Sequence, residues 1–239
     1  MQNNSSIQGD KRMPIVDVLI PAFNEENSVG KVINDIPPLV RNIVVVNNNS
    51  NDNTVKVAQS AGAIVLDEAQ RGYGRACLTG MEYIANLEVQ PDILVFLDAD
   101  YSDFPEQLTL LIAPILEHDM DMVIGSRAKG NKEKGSMTPP QVFGNWLSTR
   151  LMRWIYKTDY TDLGPFRAVK WGKLKSLGMV DQTYGWTIEM QIKAAKAGWK
   201  TTEVPVDYRK RIGVSKVSGT VEGVFGAGYK ILWTIWKYR

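Results

Sequence analysis

From residue 15 onward, short apolar runs alternate with stretches whose apolar residues recur at helical spacing, and few architectures satisfy both. "IVDVLIP" (15–21), "IVVV" (43–46), "AIVL" (63–66), "ILVFL" (93–97) and "DMVIG" (121–125) have the length and content of buried strands. Between the first two, Val29, Val32, Ile33 and Ile36 stand at i, i+3, i+4, i+7, one face of a helix. A helix opened by the Ser/Asp/Asn/Thr cluster 50–54 follows the second run. Ala76, Gly80, Ile84 and Leu87 mark a third helix, and Leu108, Leu111, Ile112 and Ile115 a fourth. Such alternation predicts βαβ units, hence an α/β fold with a mostly parallel sheet and helices on both faces. Ligands of these sheets sit beyond the carboxyl ends of the strands.

The second half is less regular. Residues 128–142 carry Gly, Pro and charge without periodicity and read as a mobile loop. A helix over about 143–157, a short strand near 166–169, a helix over about 186–197 and a strand over 201–206 follow. An amphipathic helix is expected over about 219–238. Residues 1–13 lack an apolar core, which argues against a signal peptide, and are expected to form a disordered tail before a single domain, 14–239. The net charge of +2 gives no basic field of the kind nucleic-acid binders carry, so no nucleic-acid partner is expected. The single cysteine, Cys77, allows no internal disulfide and fits a reducing compartment; no apolar run is long enough to span a bilayer.

The polar clusters "PAFNEE", "NNNSND" and "DADYSD" follow strands one, two and four, so they share one sheet edge. In a strand, residues i and i+2 point the same way, so Asp98 and Asp100 would converge. Two such carboxylates suit Mg²⁺ or Mn²⁺, with substrate phosphate oxygens and water completing the shell. Strand-end acids that cap the next helix remain the alternative, and Asp103, ahead of Pro105, is placed to do that. Neither G-x-G-x-x-G nor G-x-x-x-x-G-K-[ST] occurs after a strand, which argues against dinucleotide-binding and phosphate-loop folds. His118 reads as solvated and Cys77 as structural. In "QRGYGRA", Gly72 and Gly74 would permit close backbone approach to a ligand, with Arg71 or Arg75 meeting it.

The ordered series "LIPAFNEENSV" (19–29), "VVVNNNSNDNT" (44–54), "FLDADYSDFP" (96–105), "IGSR" (124–127), "TDLGPFRA" (161–168), "WTIEMQ" (186–191) and "EVPVDYRKRIGVSK" (203–216) resembles the family 2 glycosyltransferases of GT-A fold. The likeness is greatest to the dolichyl-phosphate-mannose synthase-like branch and covers about 15–220. It implies a metal-dependent enzyme that moves a sugar, with inversion, from a UDP- or GDP-linked donor. By resemblance, Pro21, Ala22, Glu25, Asn47, Asn48 and Ala99 border the donor, and Arg211, Ser215 and Lys216 meet its diphosphate. Asp98, Asp100 and Ser102 match the metal motif, and Arg127 and Arg167 are candidates for an acceptor phosphate. The second loop usually reads Asp-Asp-Gly-Ser; here it is Asn47-Asn48-Asn49-Ser50, which loses the charge. "LGPFR" likewise departs from the more common Ser-Gly-Phe-Arg.

A hydroxyl acceptor would need a general base, for which Glu189 and Asp162 are in register, whereas a polyprenyl phosphate arrives ionised. Two stretches favour the lipid. Trp146, Arg150, Arg153 and Lys157 form one stripe of the helix over 143–157, with Phe143, Leu147, Leu151 and Trp154 on another side. Near the C-terminus Val221, Val224, Phe225, Leu232, Ile235 and Trp236 share one face, with Lys230, Trp233 and Lys237 opposite. Trp, Tyr and Lys mixed in this way suit a headgroup region, so a cytoplasmic protein at the inner membrane face is expected. Packing of both helices on the domain core or on a second subunit is the alternative.

Overall fold

The computed structural model describes residues 12–213 and 221–239. Seven strands form one sheet in the order β3-β2-β1-β4-β6-β5-β7: β1 Val16–Ala22, β2 Val40–Asn47, β3 Ile64–Asp67, β4 Ile93–Phe96, β5 Met122–Ser126, β6 Arg167–Lys170 and β7 Thr201–Pro205. Only β6 runs antiparallel, inserted between β4 and β5. The period-2 alternation of the strands divides the core between two faces. Val18, Ile20 and Val45 pack under α1 (Val29–Asn34), α2 (Thr54–Ser60) and α4 (Leu108–His118). Leu19, Val44 and Val46 pack under α3 (Tyr73–Ala85), α5 (Pro139–Tyr156), α6 (Trp171–Ser176), α7 (Trp186–Lys196) and α8 (Val221–Lys237). Gly80 is what lets α3 lie this close: a Cβ there would stand 2.0 Å from the Leu19 side chain.

Two features differ from the expectations. Helix α5 begins inside the stretch read as loop, because Thr138 and Gln141 form a capping box and Pro139 takes the first turn. Helix α6 has a single buried face made by Trp171 and Leu174, too short to show periodicity. The expected tail lies outside the described residues except for 12 and 13, where Arg12 pairs with Asp92 at 2.7 Å. Ser215 and Lys216 also lie outside them.

Strand order reverses between β1 and β4: β2 and β3 lie to one side of β1, and the rest of the sheet to the other. The carboxyl ends of these two strands therefore open a crevice at a topological switch point.

Candidate active site

The crevice is a cavity of about 370 Å³, lined among others by Pro21, Ala22 and Glu25 after β1 and by Asp98, Ala99 and Asp100 after β4. Because β4 ends at Phe96, the two carboxylates converge through a turn and not, as expected, from one face of a strand. That turn is strained: Tyr101 has φ 63°, a region bulky side chains avoid. Its neighbours hold it there. The Tyr101 hydroxyl donates to Asp35 at 2.6 Å. Arg209 stacks 3.4 Å from the ring centroid and donates through Nε to the Tyr101 carbonyl at 2.7 Å.

Asp98 Oδ1 is sealed from solvent and has no hydrogen-bond partner among the described residues. Burial, then the neighbouring Asp100 charge, push the Asp98 carboxyl up to about 7, against the opposing pull of Arg211. Asp100 Oδ1 accepts from the Ser102 hydroxyl at 2.5 Å and its amide at 2.9 Å. Asp100 Oδ2 pairs with Arg211 Nη1 at 3.1 Å, and Arg211 Nη2 reaches Glu25 Oε1 at 3.1 Å. The cation among these carboxylates is thus a guanidinium of the same chain. Ser102, expected as a metal ligand, has its hydroxyl turned to Asp100 and orients that carboxylate. Asp103 does not cap a helix, since Phe104 occupies that position. Both its oxygens are buried without partners, and burial and Asp98 push its carboxyl well above the usual range.

The unpartnered Asp98 oxygen beside Asp100 fits a hard divalent ion. No cluster of three or more His, Cys, Asp or Glu side chains that could hold a metal occurs among the described residues. An ion here would therefore take most of its shell from diphosphate oxygens and water.

The flanking loops are tied together more than the sequence suggested. Asn47 donates to Asp67 at 2.7 Å and accepts from the Ser50 amide. Asn48 lines the crevice, but its amide is committed to the Gln70 carbonyl and the Gly72 N–H, both at 2.8 Å. Gly72 lines the crevice, and both Gly72 and Gly74 also make room for the chain: a Cβ at either would stand 2.1 Å from a carbonyl oxygen of Gln182 or Asp181. Arg75 is held by Glu68 at 3.0 Å, whereas Arg71 lines the crevice with its guanidinium 4.0 Å from the Phe23 ring centroid.

Residues 17–178 match Glycosyl transferase family 2. The chain is a family 2 glycosyltransferase. An uncharacterized glycosyltransferase of Mycobacterium tuberculosis is 35% identical over 213 residues, covering 87% of this chain and 92% of that protein. The undecaprenyl-phosphate mannosyltransferase of Micrococcus luteus is 29% identical over 222 residues, covering 86% and 88%. Among solved structures, the glucosyl-3-phosphoglycerate synthase of Mycobacterium tuberculosis with Mn²⁺, UDP and phosphoglyceric acid superposes with a TM-score of 0.75. It is 20% identical and covers 94% of this chain and 78% of its own, a likeness of the GT-A fold.

The remaining expected residues of this glycosyltransferase that the structure describes, Asp162, Arg127, Arg167 and Glu189, lie outside the lining of the crevice. Asp162 accepts from Arg127 Nη2 at 2.6 Å, Nε at 2.9 Å and the amide at 2.7 Å, and from Gly164 N at 2.9 Å. Arg127 foremost, against the cost of burial, holds the Asp162 carboxyl below its usual range. Arg127 also faces the Tyr208 ring at 5.1 Å. Arg167 is buried and donates to the carbonyls of Thr187, Leu163 and Gly164, and desolvation lowers it to about 10. Neither arginine lines the crevice, so neither is free there for an acceptor phosphate. Glu189 is fully buried and accepts from the amides of Val180 and Asp181, from the Tyr238 hydroxyl at 2.7 Å and from Lys193 at 2.7 Å. It anchors the C-terminal helix and does not open on the crevice.

That helix, α8, packs on the core through Ile231, Thr234 and Ile235, and the Tyr156 hydroxyl donates to the Ile235 carbonyl at 2.5 Å. Leu232 and Trp236 therefore do not share the face of Ile235 as expected; with Tyr229 and Trp233 they point outward. On α5 only Ser148 and Met152 are buried, leaving Phe143, Trp146 and Trp154 exposed beside Arg150 and Arg153. No helix among the described residues is long and apolar enough to cross a membrane. His118 is exposed, and Cys77 is buried with its thiol pushed up by desolvation.

Proposed function

We propose that this glycosyltransferase moves a sugar from a UDP- or GDP-linked donor to a polyprenyl phosphate, at the cytosolic face of a membrane and within one domain, 14–239. The observation that carries the acceptor reading is the saturation of both candidate bases. Asp162 is locked by Arg127 and Gly164, and Glu189 by two amides, Tyr238 and Lys193. With their oxygens occupied by these donors, neither carboxylate is open to an acceptor hydroxyl. A nucleophile that arrives ionised, as a phosphate monoester does, needs no such base. The exposed aromatic and basic residues of α5 and α8 supply a surface such a lipid would use, and a named undecaprenyl-phosphate transferase among the relatives supports the class.

The acceptor oxygen forms a bond to the anomeric carbon on the face opposite the donor diphosphate. The bond from that carbon to the diphosphate oxygen breaks, its electron pair leaves with the nucleoside diphosphate, and no proton moves. Asp98 and Asp100 would hold Mg²⁺ or Mn²⁺, which when bound neutralises charge growing on the leaving diphosphate. Arg211 and Arg71 are placed to share that charge, and Glu25 to orient Arg211. Pro21, Ala22, Asn48 and Ala99 shape the donor side of the cavity.

Calorimetric titration of UDP and GDP, with and without Mn²⁺, into wild type and Asp100→Ala tests the donor half. Metal-dependent binding that falls on the order of a hundredfold in the variant is expected; equal binding in both would remove the site. Transfer to a short polyprenyl phosphate, set against phosphoglycerate, tests the acceptor half. Turnover with phosphoglycerate alone would favour a soluble phosphorylated acceptor, of the kind bound by the glucosyl-3-phosphoglycerate synthase.

A further inference from the structure

A second cavity, of about 310 Å³, lies between α5, the 128–137 segment and the 160–162 segment, and shares no lining residue with the donor crevice. Lys132, Arg150 and Arg153 line it together with Trp146 and Met137. Among the described residues Lys132 and Arg150 have no carboxylate within 4 Å, and Arg153 meets only the exposed Asp159 at 3.4 Å. Lys132 and Arg150 thus face one hollow without a carboxylate of their own, beside an Arg153 whose counter-ion is solvent-exposed, and like charges so placed repel one another unless an anion joins them. The one carboxylate in the lining, Asp162, is already neutralised by Arg127.

The cavity also stands next to the chemistry. Asp162 forms part of its wall, and Arg127, bound to Asp162, lies near enough for its charge to act on Asp98. The Arg127–Asp162 pair closes one side of this hollow. On the outer side the apolar lining of Trp146 and Val142 continues into the exposed Phe143 of the same helix, whose ring lies 5.9 Å from that of Trp146. An anionic head can enter among the cations while an apolar chain leaves along the aromatic side.

From this arrangement the geometry points to the α5 cavity as the binding site for the phosphate monoester of the acceptor, with Lys132, Arg150 and Arg153 as its ligands and Trp146 against the first apolar unit. The assignment rests on the proposed phosphate acceptor. It replaces Arg127 and Arg167, which are spent on Asp162 and on backbone carbonyls.

The test is binding of farnesyl phosphate, 3-phosphoglycerate and farnesol to the full chain without donor, for wild type and Arg150→Gln/Arg153→Gln. Binding is followed by calorimetry and by Trp fluorescence, and the melting temperature checks folding. Removing two charge-assisted contacts should weaken farnesyl phosphate by at least about tenfold and leave farnesol unchanged. Trp146→Ala should weaken farnesyl phosphate but not 3-phosphoglycerate. Equal affinity of farnesyl phosphate for wild type and the double variant overturns the site, and continued turnover with it would leave the lipid-acceptor reading standing. Binding of 3-phosphoglycerate alone, lost in the double variant, would keep the site and overturn the lipid reading.

Discussion

In the crevice at the strand ends, Arg211 already answers Asp100 and Glu25, each at 3.1 Å. In the cavity beside α5, Lys132 and Arg150 have no acidic partner among the described residues. In the first region Arg211 is already paired, so a metal–diphosphate pair engages it by exchange, with the guanidinium passing from carboxylate to phosphate. The second is open and takes an anion by addition. An exchange site discriminates against the metal alone, because the ion must displace an internal counter-ion unless diphosphate arrives to receive it. An addition site has no such filter and depends on neighbours that keep its cations apart.

The Arg127–Asp162 pair beside the α5 cavity offers the largest effect. Asp162→Ala leaves Arg127 buried and unpaired and should cost about 3–5 kcal/mol in urea denaturation, with Arg127→Met/Asp162→Leu costing less. Unchanged stability together with lost turnover would instead make Asp162 a base.

Next in size is the proton held at Asp98 in metal-free protein. Its folded value of about 7 lies above the ordinary 3.8, so the folded chain keeps a proton that the unfolded chain has released. Stability present below the ordinary value is lost as pH rises through this window. Wild type should therefore lose on the order of 2 kcal/mol relative to Asp98→Asn between about pH 4 and 7, read from chelator-treated melts. Parallel curves for the two proteins would count against a buried, proton-holding Asp98.

Arg211→Gln sharpens the exchange itself. Donor-free Mn²⁺ should bind about tenfold tighter and nucleotide–Mn²⁺ about tenfold weaker. Two changes of the same sign would reject the exchange. The smallest expected effect concerns the outer face of α8: Trp233→Ser/Trp236→Ser should move stability by no more than about 0.5 kcal/mol while lowering flotation with anionic vesicles. A large loss of stability would mean that these rings are packed after all.

The parallel half was legible because each buried run is short and each helix repeats its apolar face. Val29, Val32 and Ile33, and likewise Leu108, Leu111, Ile112 and Ile115, are buried as their spacing requires. The start of α5 was hidden because a capping box and two prolines look like loop chemistry until the Thr138–Gln141 pair is weighed. At the site, residue types pointed to the right loops, but sequence does not print partners. Arg127 and Asp162 each looked available, and only folding shows that they consume one another at 2.6 Å. Asp103 reads as a cap ahead of a proline, yet the chain buries it. The α5 cavity could have been suspected from Arg150 and Arg153 one turn apart on the side of Trp146, but Lys132 is brought to it by a segment with no pattern at all.

The insertion of β6 between β4 and β5 has a consequence in time. Strands β1 to β4 can pair as soon as residue 96 has emerged from the ribosome, but both sheet neighbours of β5 come later in the chain. Until residues 167–170 are made, β4 keeps a bare edge just where the turn bearing Asp98 and Asp100 begins. At ordinary rates of synthesis that edge waits roughly 4–15 s, a window in which a neighbouring nascent chain could pair with it. The antiparallel strand is thus a late latch, and the strands leading into the Asp98 and Asp100 turn can pair before the residues of the α5 cavity, and Arg211 of the crevice itself, have been made.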